Sequence, residues 1–220
     1  MNKKKMIYTI LICINIVILS IGSTYAYISA TVTSEKDDIQ TSSGNFSINL
    51  DITPIAPLNN KKMIPMKDEL SEKAYTGYNN NPCIDKNGAT VCYLYEIRVY
   101  DYNNNQEYVS ASLNIETSKI TNLSFRVFDE EGNSIIITED EDNQYIKKIE
   151  SGIDMKMGND FNVKDKKELK LKLMIWLTDT GISQNDTDIG TFSGSVTVYA
   201  GTGGKITGKI SSLIEGKYAD

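Results

Sequence analysis

The chain has no histidine. That absence removes Ser-His-Asp and Cys-His catalysis as usually built. It removes the common zinc hydrolase site as well. Proline is scarce, and all four prolines lie between Pro54 and Pro82. Cysteine occurs three times, as Cys13, Cys83 and Cys92. Basic residues are outnumbered by acidic ones, 23 to 29. With no basic face to neutralise phosphates, nucleic acid is not an expected partner. No stretch carries a long run of period 3.6, which argues against a helical bundle.

The one long apolar run sits near the start. Lys3, Lys4 and Lys5 precede Ile7 to Ile21, which Asn15 interrupts, and Gly22-Ser23-Thr24-Tyr25-Ala26-Tyr27 follows. A positive n-region, an apolar core and a small-residue exit predict a secretory signal, cut after Ala26 or after Ala30. Extended through Ala30, the run approaches the ~20 residues of a spanning helix, so an uncleaved N-terminal anchor is the alternative. Both place the rest of the chain outside the cell or on its surface, and the cleaved form has signal peptidase as a partner. Contact with the membrane is expected only through the N-terminal segment. Cys13 lies inside the apolar core after Ile12, where a lipid-bearing cysteine does not sit.

Removal of Lys3 to Lys5 leaves 20 basic residues against 29 acidic ones, a net charge near −9. That charge suits solubility outside the cell. Cys83 and Cys92 then remain as an even pair, as an oxidising exterior favours. Asn87-Gly88 between them is a strong signal for a two-residue type I′ hairpin turn. With that pair at the tip, Cys83 faces Cys92 and a disulfide staples the hairpin. A reactive dithiol or half a zinc site is the weaker reading, since no second cysteine pair and no histidine exist.

Strand patterns fill the remainder. Asn45–Ile52, Tyr93–Tyr100, Val109–Ile115, Leu123–Phe128 and Phe192–Tyr199 alternate polar and apolar residues. Glu168–Leu177 starts as alternation and ends as a buried run. Ser134–Thr138, after the turn Glu131-Gly132-Asn133, is a seventh strand. Thirteen tyrosines, with abundant Val, Ile and Thr, suit strands. The expected fold is all-β: a single antiparallel β-sandwich, jelly-roll or immunoglobulin-like, preceded by a signal or anchor segment. The expected division is 1–30 for that segment, 31–200 for the sandwich and 201–220 for a Gly-rich linker and loosely ordered tail. Pro54 to Pro82 is expected to be a long surface connection. Short helices are expected within Lys147 to Lys156 and around Ile210 to Ile214.

Few residues suggest chemistry. Paired carboxylates could serve a hydrolase, but Glu96 and Asp179 have no distinguishing context. Asp179, Asn185, Asp186 and Asp188 gather in one loop and are weak calcium candidates, since hard cations take oxygen ligands. The loop lacks the EF-hand pattern, and turn-capping by Asn and Asp explains it as well. No cofactor and no catalysis are expected.

Two segments resemble a known family. One is Gly22-Ser23-Thr24-Tyr25-Ala26-Tyr27 with Ser43-Gly44-Asn45-Phe46-Ser47-Ile48-Asn49-Leu50. The other is Trp176-Leu177-Thr178-Asp179-Thr180-Gly181-Ile182-Ser183-Gln184-Asn185, followed by Gly190, Phe192 and Val196-Thr197-Val198. Together they resemble the two ends of the TasA/camelysin family, whose signals are cut by the peptidase SipW in Gram-positive bacteria. The middle of the chain, with its cysteine hairpin, is not matched. The resemblance implies a secreted jelly-roll-like sandwich that polymerises into biofilm matrix fibres. It also implies donor-strand exchange, with Tyr27 to Ile39 as the donor and Ile28, Ala30 and Val32 alternating along it. Self-assembly or other matrix proteins would then be the partners. Camelysin is classed as a metalloprotease, and a chain without histidine does not inherit that activity. The rivals are a membrane-anchored surface binding domain and a carboxylate- or calcium-dependent hydrolase.

Overall fold

The computed structural model describes residues 48–57, 63–101, 107–118, 120–139, 143–164, 168–181, 191–201 and 203–211. They form ten strands and one short helix: β1 (Ile48–Ala56), α1 (Ser71–Thr76), β2 (Tyr93–Asp101), β3 (Tyr108–Ser118), β4 (Leu123–Phe128), β5 (Lys147–Lys148), β6 (Asp154–Lys156), β7 (Phe161–Asn162), β8 (Glu168–Leu177), β9 (Thr191–Ala200) and β10 (Lys205–Ser211). One sheet has the order β1-β2-β8-β4-β5 and the other β10-β9-β3-β6, with β7 also on β3. Every strand pair is antiparallel. The fold is the expected all-β sandwich.

Period-2 alternation explains the inter-sheet core. In β2 the odd residues Tyr93, Tyr95, Ile97 and Val99 point inward, and register sets them against Ile175, Leu173, Leu171 and Leu169 of β8. Phe125 and Val127 of β4 continue the layer. Opposite stand Val109, Ala111, Leu113 and Ile115 of β3, with Val196 and Val198 of β9. Burying each large apolar side chain contributes about 1.5–3 kcal/mol, which outweighs any local preference.

The far side of the β2–β8–β4 sheet carries a second apolar layer. Leu94, Phe128, Met174 and Trp176 point away from the sandwich and are roofed by Ala56, Met66, Ala74, Cys83, Val91 and Cys92. The roof begins where β1 ends and runs up to β2. The Met66 amide donates to the Leu177 carbonyl (2.9 Å), and the Asp179 amide donates to the Met66 carbonyl (2.8 Å), pinning the roof to the end of β8. A 3-10 turn, Asp68–Leu70, leads into α1. Six residues cannot hold a helix in water; α1 is held by packing, with Ala74 buried and Tyr75 stacked on Phe128 at 4.0 Å between ring centroids. It stops at Gly77, whose φ of 71° and close approach to the Asn81 carbonyl exclude a side chain.

Several sequence expectations need correction. Pro54 to Pro82 is not a plain surface connection: its first residues extend β1 and much of the rest builds the roof. Pro54 is tolerated because β1 is an edge strand, and the register shifts just after it. Ser134–Thr138 forms no regular strand: it makes a single bridge, Ser134 to Phe128, with the Ile135 amide donating to the Val127 carbonyl (2.9 Å), and then turns to the Gln144 carbonyl, which accepts from Ile137 (2.8 Å) and Thr138 (3.3 Å). Lys147 to Lys156 holds no helix but the short strands β5 and β6. The stretch after residue 200 is not a linker and loose tail as far as Ser211. Gly201 to Gly204 closes a hairpin, with Gly203 at φ 96° and the Ala200 amide bonded to the Gly204 carbonyl (2.8 Å). β10 then pairs with β9 along its whole length, so residues Ile210 and Ser211 are strand and not helix.

Candidate functional site

The disulfide is present as expected: Cys83 and Cys92 are joined with Cα atoms 4.8 Å apart, and both are fully buried. The hairpin register differs by one residue. The Asp85 amide donates to the Ala89 carbonyl (2.9 Å), Ile84 pairs with Thr90, and the Val91 amide donates to the Cys83 carbonyl (2.9 Å). The loop is therefore Lys86-Asn87-Gly88, with positive φ at Gly88 alone and not at Asn87. A type I′ turn needs both, so the three-residue hairpin wins. Asp85 decides it: its Oδ1 accepts from the amides of Asn87 (2.9 Å) and Ala89 (2.8 Å). Cys83 itself sits at φ 61°, a strained region for a side chain. The disulfide and a bond from its amide to the Ala74 carbonyl (2.9 Å) hold it there.

Asp179 caps its own turn, its Oδ1 accepting from the Gly181 amide at 2.8 Å. Asp186 and Asp188, the other calcium candidates, lie outside the described residues. Among the described residues no group of three or more acidic or cysteine side chains is arranged to hold a metal. Ala26, Ala30, Ile28 and Val32 also lie outside the described residues. No helix among the described residues is long and apolar enough to cross a membrane. Glu96 is paired with Arg98 on the solvent side of β2.

The sequence reading missed one constellation, beneath α1. Alternation in Leu123–Phe128 suggests that Arg126 faces water. Instead all six residues are buried, and Arg126 is only 4% exposed. Its Nε donates to Ser134 Oγ (2.9 Å), Nη1 to Ser71 Oγ (2.9 Å) and Nη2 to Glu72 Oε1 (2.7 Å). The guanidinium also lies 5.3 Å from the Phe128 ring centroid and 5.4 Å from that of Tyr145. Such a cation is held in one plane by three bonds and two rings. The clue was available: the strand carries one charged residue, and an arginine there needs partners if it is buried.

Next to it, Asp68 Oδ1 accepts from Trp176 Nε1 (2.8 Å) and from Thr178 Oγ1 (2.9 Å), and Ser124 Oγ reaches Thr178 Oγ1 (2.7 Å). The walls formed by residues 68–72 and 143–146, with Arg126 between them, enclose an open cleft of about 260 Å³.

Titration follows the packing. Burial pushes the Tyr93 hydroxyl up to about 12. Burial, then the neighbouring Tyr93, pushes Tyr95 upward too. At Asp129 partial burial acts upward, but the Asn133 side chain and the amides of Asn133, Gly132 and Glu131 outweigh it and hold the carboxyl below its usual value. Tyr93 and Tyr95 lie in the core between the sheets, and Asp129 caps the turn at Asn133.

No protein-family model and no curated protein matches the chain. Among solved structures it is similar to a DUF4466 family protein from Parabacteroides merdae (9% identity, TM-score 0.35, 74% of this chain and 43% of that one). It is also similar to a FixG-related protein from Vibrio parahaemolyticus (7% identity, TM-score 0.27, 76% and 94%). A third is the collagen-binding subdomain of the Enterococcus faecalis surface protein ACE (13% identity, TM-score 0.24, 56% and 87%). This chain thus spans less than half of the Parabacteroides protein, and likeness at these levels adds nothing to what strand order already gives.

Proposed function

We propose that this chain is an exported, non-catalytic β-sandwich that builds extracellular matrix fibres, as its resemblance to the TasA/camelysin family implies. The observation that carries the proposal is the buried Cys83–Cys92 bridge in the roof. A structural disulfide in that position suits a chain that folds outside the reducing cytosol. The charged groups also fit a structural role: Glu72 pairs with Arg126, Glu96 with Arg98, and Glu130 with Lys170.

The segment Tyr27 to Ile39, freed by cleavage near Ala26 or Ala30, is the donor strand, and Ile28, Ala30 and Val32 are its inward residues. It adds to the sheet of a neighbouring copy by β-augmentation. The long outer strands β1 and β10 are the natural places for such an addition. They meet across the sandwich, where Gly208 rests on Leu50 and Ile52. Copies of the chain, other matrix proteins and signal peptidase are its partners, and its place is the cell exterior.

Electron microscopy of the secreted chain, with and without residues 27–39, tests this. Fibres from the intact chain and none from the shortened one are expected. Fibres from the shortened chain, or only monomers from the intact one under assembly conditions, would contradict the proposal.

A further inference from the structure

The cleft beneath α1 needs neither export nor assembly to work. Its floor is Arg126, more than nine-tenths buried. A guanidinium carries five N–H donors. Three are used, by Ser134, Ser71 and Glu72. Two N–H groups, one on each Nη, have no partner among the described residues. A buried charged donor left unserved is costly, so water or a ligand atom must meet it.

The rim decides which ligand. Glu69 and Glu72 are exposed carboxylates at the mouth, so a phosphate or sulfate is repelled on entry. A cation that passes them meets the fixed guanidinium. What fits is a neutral group that both donates and accepts, and the hydroxyl does both. Hydroxyls accept from Arg126 and donate to the carboxylates. The side-chain amides of Asn143 and Gln144 do either, and Tyr145 supplies ring surface. A volume of about 260 Å³ falls just under the ~300–1,000 Å³ of drug-sized pockets. The space suits one or two sugar rings, and so a chain end and not a long polymer.

We propose that this cleft binds the end of a neutral glycan, with Arg126 as the fixed donor, Glu69 and Glu72 as acceptors, and Asn143, Gln144 and Tyr145 setting orientation.

The test is an NMR titration of the labelled secreted chain with glucose, galactose, N-acetylglucosamine and their β-linked disaccharides. It follows the Arg126 Nε–H and the side-chain amides of Asn143 and Gln144. At least one sugar should give saturable shifts confined to these groups. Gln144→Ala and Tyr145→Ala should each weaken it by at least about tenfold, the loss expected of one good contact. If Tyr145→Ala fails to fold, the Gln144→Ala result stands alone. No saturable shift with any sugar up to its solubility limit would overturn the proposal. So would undiminished affinity in the folded variants, or shifts produced by inorganic phosphate or lysine amide in place of the sugars.

Discussion

Both faces of the sheet formed by β1, β2, β8, β4 and β5 carry an apolar layer, the outer one confined to the end around Leu94, Phe128, Met174 and Trp176, and the two layers are built by different means. The layer between the sheets is made of long paired strands, and its contacts come from alternation in each of them. The roof is made of a 3-10 turn, a six-residue helix and a short hairpin, which no regular pattern joins. It is held instead by a disulfide, by Arg126 and by the Asp68 bonds to Trp176 and Thr178. A layer built of such short elements needs point fastenings, because conformational entropy of about 1–2 kcal/mol per residue opposes its ordering. The difference predicts two stabilities: a cooperative sandwich, and a roof that can loosen on its own.

The largest effect is expected from Phe125→Ala, which empties a fully buried position between the sheets. A loss of about 3–5 kcal/mol is expected, and thermal melting should show one transition in which sandwich and roof go together. If only the roof melts, the two layers are assigned the wrong way round.

Cutting the staple comes next. Replacing both cysteines, Cys83→Ser with Cys92→Ser, removes a bridge across a separation of 9 residues. The chain-entropy relation gives about 2.5 kcal/mol for so short a loop. Hydrogen exchange should show faster amides at Tyr78, Ile84 and Val91 and unchanged ones in β3 and β9. Uniform acceleration would mean that the roof is not separable.

Arg126→Met should cost about 1–3 kcal/mol, since Ser71 and Ser134 lose a bonded charge while the exposed Glu72 returns to water. Its effect should centre on α1. Loosening confined to β10 would count against this placement.

High pH acts on the sandwich and spares the roof. Tyr93 has its hydroxyl raised from 10.0 to about 12 by burial. The neutral form is favoured by folding, so that stability is complete below pH 10 and drains away as pH rises towards 12. Tyrosinate absorbance should rise together with loss of sheet signal. Ionisation of Tyr93 near pH 10 with the sheet intact would contradict its burial.

The smallest effect is expected from Lys170→Ala on the outer face of β8. Its pairs with Glu130 and Glu168 are at the surface, and its melting temperature should stay within error.

The same contrast marks what the sequence made legible. Residues such as Ile97, Leu113, Leu173 and Val196 announce themselves by alternation, and each faces the core as its pattern requires. The roof does not, because six helical residues and a nine-residue hairpin with a three-residue loop are too short to show a period. β10 was hidden by Gly208. In Ile206-Thr207-Gly208-Lys209-Ile210 the middle inward residue is a glycine, and a Cβ there would come within 2.7 Å of Ile52 Cδ1. Close approach of β1 and β10 therefore erases the apolar signal that would have marked the strand. Ser134–Thr138 fails the other way: three isoleucines look like a strand, yet only Ser134 and Ile135 meet the end of β4 before the chain leaves it for the loop at Gln144. Of the candidate cleft nothing was legible, since Arg126 has the spacing of an outward residue and gains its partners from segments 55 residues upstream and 8 downstream.

The most direct measurement is the intact mass and free-thiol count of the protein recovered from the medium and surface of a Gram-positive host that expresses residues 1–220. A chain shortened to begin at Tyr27 or Thr31 is expected, with Cys83 and Cys92 oxidised and no free thiol. A full-length chain that keeps residues 1–30, or a secreted chain carrying two free thiols, would contradict the proposed function.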